Sequence, residues 1–79
     1  MSKDLPFTQA IADELRGEIA RQGRNLVEVA ETAGVPYVSA QRYLKGARGL
    51  PMPVYYALTS ALGVNPADLM AAAVRRMES

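Results

Sequence analysis

At 79 residues, with nine Lys and Arg against eight Asp and Glu, the chain has a net charge of +1 and room for one domain, near the lower limit for an independent core. With no Cys and no His it holds no disulfide, thiolate metal site or imidazole base, and its apolar runs are far below membrane length. The near balance of charge argues against a generic polyanion binder. The start, MSKDLPFTQ, has neither the basic opening nor the apolar stretch of a signal peptide, so the expected compartment is the cytosol.

The pattern along the chain predicts an all-α fold of five helices. Thr8 is the expected N-cap of a first helix over 8 to about 22, in which Ile11, Leu15 and Ile19 recur every four residues as the buried stripe. Gly23 stops it. Asn25, with Glu28 three residues on, makes a capping-box pattern opening a second helix. On that helix Val29 and Ala33 share a face, and Ala30 beside them is small enough to let another helix cross closely. Gly34 suits the left-handed turn past the helix end, and Val35 covers that turn with apolar surface.

Pro36 fits the first position of a third helix, because its φ is fixed and its missing N–H would have had no partner there. Ala40, Tyr43 and Leu44 then fall at i, i+3 and i+4 and face the core. Tyr37, Val38, Gln41, Arg42 and Lys45 are left outward, a mixed and basic face without an acid. The segment ARGLPMP, at 47–53, reads as a loop with no strand pattern. A fourth helix over about 53–62 buries Tyr55, Leu58 and Leu62 and is closed by Gly63. Asn65, Pro66 and Asp68 supply the cap, first-turn proline and dipole-favoured acid of a fifth helix over 66 to about 77. Its apolar residues, among them Leu69, Met70, Val74 and Met77, exceed what one small core needs; the surplus either completes a thin core or forms a dimer seam.

Charge is unevenly placed. No acid falls between 32 and 67, where Arg42, Lys45 and Arg48 lie, whereas Asp13, Glu14, Glu18, Glu28 and Glu31 gather on the first two helices. Phosphate attraction would need such a polarised surface. Catalysis has little to work with: Ser39, Ser60 and the threonines have no activator by sequence, and the adjacent Asp13 and Glu14 diverge on a helix as solvated charges. Gly46 and Gly49 form no phosphate cradle, since the Lys-Ser/Thr ending and the preceding strand are missing. No enzyme activity, cofactor, metal or small-molecule ligand is expected.

The stretch LVEVAETAGVPYVSAQRYLK, at 26–45, resembles the helix-turn-helix of the lambda-repressor-like family, the Cro and XRE-type transcriptional regulators. The likeness runs from about 11 to 70. QGRN-LVEVA resembles the family's Gly-x-Ser/Thr-Gln entry, though Leu26 stands where a phosphate-touching glutamine is frequent, and ALGVNPADLM resembles its exit. The resemblance implies a single DNA-binding domain over 1–79 whose third helix enters the major groove. Base edges would be read by Tyr37, Val38 and Arg42, with Gln41 a further candidate. Arg42 can grip guanine O6 and N7 with two parallel hydrogen bonds, and Val38 suits a thymine methyl.

Lys45, Arg48 and Ser39 are expected on phosphates, joined by Arg24 and by Asn25 at a helix N-terminus. Specificity then asks for two copies, so a homodimer is expected at least on DNA, with Met70, Val74 and Met77 in its seam. The function so implied is sequence-specific double-stranded DNA binding by a small phage or bacterial regulator, repressing by operator occupancy in the host cytosol, at the nucleoid. Two other readings stay open: a protein-interaction module of antitoxin or anti-repressor type, and the DNA-binding fragment of a longer repressor.

Overall fold

The first four helices end where glycine lets the backbone turn left-handed, and the apolar stripes between those ends decide how the helices stack. A computed structural model describes residues 4–46 and 49–78. Among these the chain forms α1 (Asp4–Arg21), α2 (Leu26–Ala33), α3 (Tyr37–Leu44), α4 (Met52–Leu62) and α5 (Pro66–Glu78), with no strand. The expected all-α, five-helix architecture is therefore what the chain adopts.

The exit from α2 shows the termination mechanism. Gly34, at φ 73°, donates its N–H to the Glu31 carbonyl at 3.1 Å, and Val35 donates to the Ala30 carbonyl at 2.9 Å. This pair of bonds satisfies two carbonyls that the helix itself leaves without partners. The same pairing closes α1 through Gly23 and Arg24 and α4 through Gly63 and Val64.

Four local expectations are corrected. Thr8 is no N-cap, because α1 begins four residues earlier. Pro6 falls in its first turn, where N–H groups lack helical partners anyway, so the proline does not block the start. Pro36 sits before α3 as its N-cap residue, with extended ψ of 135° and no side-chain hydrogen bond, and Tyr37 takes the first helical position. Asn25 does cap α2, accepting from the Glu28 N–H at 2.9 Å, but the Glu28 carboxylate faces Arg24 and closes no capping box. Asp13 and Glu14 are not merely solvated: Asp13 accepts from Gln9 and Arg16, and Glu14 from Arg76 of α5.

α1 is the spine. It packs along α5 and against α3 and α4, while α2 packs on α4 and α3 and α4 meets α5. The predicted stripe Ile11, Leu15 and Ile19 is buried, with Leu15 fully enclosed, and Val29, Leu44, Tyr55, Leu58 and Leu62 join it in one cluster. α2 and α3 pack together and each buries an alanine, Ala30 and Ala40, small enough to permit a close approach of a neighbouring helix. Leu69 and Ala73 of α5 seal the core, and Met70 packs against it.

Buried polar groups are matched. The Tyr55 hydroxyl donates to the Pro66 carbonyl at 2.5 Å, tying α4 to the start of α5, and its burial raises the phenol's affinity for its proton. The Thr59 hydroxyl donates to the Tyr55 and Tyr56 carbonyls at 3.1 and 3.0 Å. Among the described residues no buried side-chain nitrogen or oxygen lacks a partner. The Cα radius of gyration, 11.6 Å, is that of a close-packed chain of this length. No single helix among the described residues is long and apolar enough to cross a membrane.

Candidate nucleic-acid interface

α3 has two sides of opposite character. Ala40 and Leu44 are buried and Tyr43 half-buried, so the inward positions named from the sequence hold, with Tyr43 only partly covered. At 100° per residue, Tyr37, Gln41, Lys45, Val38 and Arg42 follow one another around the opposite side within an arc of roughly 140°. Tyr37 is 41% exposed and Val38 63%. Arg42 and Lys45 are exposed and Gln41 is partly covered; its amide donates to the Tyr37 hydroxyl at 3.4 Å. This arc contains two cations, a hydrogen-bonding amide, a phenol and an apolar side chain, and no carboxylate. Singly exposed apolar side chains are ordinary on a protein surface; what sets this arc apart is that Val38 and Tyr37 lie among Arg42 and Lys45 with no acid on the helix.

The remaining predicted residues are placed differently. Ser39 is half-buried, beyond Arg42 around the helix, and Asn25 spends its side-chain oxygen on the α2 cap. Arg48 lies outside the described residues. Val74 and Met77 are 42% and 45% exposed at the end of α5.

Arg24 is committed within the fold. Its Nε and Nη2 donate to the two Glu28 oxygens at 2.8 and 2.7 Å, and its Nη1 donates to the Ala61 carbonyl at 2.7 Å and to Gln22 Oε1 at 3.2 Å. The guanidinium, helped by the Thr32 hydroxyl, holds the Glu28 carboxyl at about 2, well below its ordinary 4.5. Glu28 raises the proton affinity of Arg24 in return. Gln22 also donates to the Leu62 carbonyl at 2.8 Å, so two side chains from the α1–α2 turn satisfy the last carbonyls of α4. Sequence reasoning did not anticipate these contacts, because their partners lie 37 and 40 positions away and no local spacing announces them.

Glu18 and Glu14 are paired as well. Arg21 donates to Glu18 at 2.9 Å and, with Gln22, lowers the Glu18 carboxyl; Arg76 holds Glu14 through Nε and Nη2 at 2.8 and 2.7 Å. On α1, Glu14 and Glu18 lie well around the helix from Asp13 and Arg16, which meet α3. No carboxylate is carried by α3 itself. Among the described residues no three acids converge on a point where a metal ion would sit.

No protein-family model matches the sequence, and no curated protein matches it significantly. The fold is nonetheless shared: the chain is similar to the crystal structure of the clp gene regulator ClgR from C. glutamicum, at a TM-score of 0.83 and 25% identity over 90% of this chain and 92% of that one. The all-helical frame that carries α3 is therefore one also found in a gene regulator.

Proposed function

We propose that the chain is a sequence-specific double-stranded DNA-binding transcriptional regulator of the lambda-repressor-like, Cro or XRE type, which represses by occupying an operator. The exposed, acid-free arc of α3 carries this reading. Arg42 grips a guanine, Val38 meets a thymine methyl, and Tyr37 and Gln41 contact neighbouring base edges or the sugar-phosphate chain. Lys45, with Arg48 and Ser39, holds phosphates and sets the register of α3 in the groove. Asn25 and the first N–H groups of α2 offer a second phosphate contact. Arg24 joins them only by exchanging its Glu28 pairing for a phosphate. The likeness to ClgR, itself a gene regulator, supports the regulatory role.

One such helix spans only a few base pairs, so the regulator acts as a homodimer on a symmetric site whose halves lie about 34 Å apart, one turn of DNA. Met70, Val74 and Met77 of α5 supply the seam. The site of action is the bacterial cytosol, at the nucleoid. Selection from a random double-stranded DNA pool tests the reading. A symmetric motif should be enriched, and its binding should weaken steeply with salt. A pool that yields no motif would remove the proposal.

A further inference from the structure

We infer that Arg16 of α1 is a positioning residue for the base-reading helix, an assignment that rests on the DNA-binding reading above. Its Nη1 donates to the carbonyl of Leu44, the last residue of α3, from 28 positions away. Its Nη2 is held by Asp13 Oδ1, which also accepts from Gln9 Nε2 at 3.0 Å. Gln9, Asp13 and Arg16 stand at i, i+4 and i+7, so they form a row along the side of α1 that meets the end of α3.

The need for such a group follows from how α3 ends. A helix leaves its last carbonyls without internal partners and gathers partial negative charge there. Lys45 donates its N–H to the Gln41 and Arg42 carbonyls at 3.2 and 3.3 Å, and Gly46 donates to Tyr43 at 3.1 Å. Among the described residues no backbone N–H takes the Leu44 carbonyl, the last of the turn, and Arg16 takes it with a charged donor. The chain then leaves at Gly46, whose φ of 75° and closeness to the Gln9 side chain leave no room for a Cβ without displacing that side chain. The same row of α1 therefore meets both the end of α3 and Gly46 just past it. No side chain caps the other end, since Pro36 makes no cap hydrogen bond.

Arg42 lies two residues before Leu44. A bidentate grip on a guanine tolerates misplacement of only about 0.5 Å, so a recognition helix free to tilt at this end would still bind phosphates but read bases poorly. Arg16 thus acts on specificity through the position of α3, without touching DNA.

The test uses the full chain, a duplex enriched from a random pool and a scrambled duplex of equal length. Arg16→Met should bind the enriched duplex roughly tenfold more weakly, the size of losing one charge-assisted hydrogen bond. It should bind the scrambled duplex like the unaltered chain, with an unchanged salt slope. Arg16→Lys should recover part of the loss. Asp13→Asn, which keeps the Arg16 charge but loosens its orientation, should give a smaller loss of the same kind and covers the case in which Arg16→Met fails to fold. Equal loss on both duplexes with a slope reduced by about 0.9 would make Arg16 a phosphate contact and overturn the assignment. No loss on either duplex, from any of the three variants, would overturn it too. Failure of the unaltered chain to enrich a duplex would instead remove the DNA-binding reading beneath it, before any variant is made.

Discussion

Arg24 and Glu28 face each other one turn apart at the start of α2, joined by two hydrogen bonds of 2.8 and 2.7 Å. The pairing divides two tasks. Asn25 alone caps the helix, while Glu28 orients a guanidinium whose Nη1 reaches across to the Ala61 carbonyl at the end of α4. The first helix of the motif is thereby fastened to the frame, and the Glu28 carboxylate has its charge offset.

The pH dependence follows from the direction of the Glu28 shift. Its folded value, about 2, lies below the ordinary 4.5, so the folded state favours the ionised carboxylate and gains stability from it above the ordinary value. That gain should fade as pH falls from about 4.5 toward 2. In Arg24→Met the Glu28 titration, followed by the NMR shift of its side-chain carboxyl carbon, should move back toward 4.5. The Thr32 hydroxyl, at 2.9 Å from the carboxylate, should leave it slightly short of that value. An unmoved titration would mean that Arg24 does not hold Glu28 in solution.

α2 and α3 pack together, and each carries a buried alanine, Ala30 and Ala40. Ala30→Leu should cost about 1 to 3 kcal/mol, since added methylenes in a packed site force neighbours off their preferred rotamers. Denaturant unfolding measures this. Ala20→Leu, at an exposed position of α1, should change stability by less than about 0.5 kcal/mol and serves as the control.

Much of this architecture was legible in the sequence because its signals are local. Gly34 and the i, i+3, i+4 placement of Ala40, Tyr43 and Leu44 act within one helical turn and do what their spacing implies, and Asn25 caps α2, though without the return bond from Glu28 that the capping-box spacing suggests. The start of α1 was misread for a local reason too. The apolar stripe begins at Ile11, and Thr8 stands where a cap would be, yet a proline at position 6 is compatible with a helix that begins at Asp4. The α3 arc was readable from periodicity alone. What could not be read were the clasps between distant elements, Arg16 on Leu44 at the end of α3 and Gln22 on Leu62 and Arg24 on Ala61 at the end of α4, because only the folded topology brings those pairs together.

Assembly is predicted through α5. Leu69 and Ala73 face the core, and Met70 is spent largely on it, so the exposed Val74 and Met77 carry the proposed seam. Val74→Glu places a charge there without disturbing a buried position. Sedimentation should show the unaltered chain as a dimer on its selected duplex and the variant as a monomer that binds half-sites independently. Equal behaviour of the two would remove α5 from the interface.

The recognition helix gives the sharpest expectation. Arg42 is exposed, lies on the arc with Val38 and Lys45, and has no carboxylate on its own helix to hold it back. If it grips a guanine through O6 and N7, Arg42→Ala should cost about 1 to 3 kcal/mol on duplexes carrying that guanine. On duplexes with that base pair replaced, the variant and the unaltered chain should bind alike. Val38→Ala should relax preference at a neighbouring thymine, and replacing that thymine by uracil, which lacks the methyl, should mimic it. Lys45→Ala should instead weaken every duplex alike and lower the slope of log K against log salt by about 0.9. Circular dichroism of all three variants separates these outcomes from unfolding. Were Arg42→Ala to weaken all duplexes in proportion, Arg42 would be a phosphate clamp, and the base-reading role would pass to Gln41 and Tyr37, whose hydroxyl and amide already lie 3.4 Å apart on the same arc.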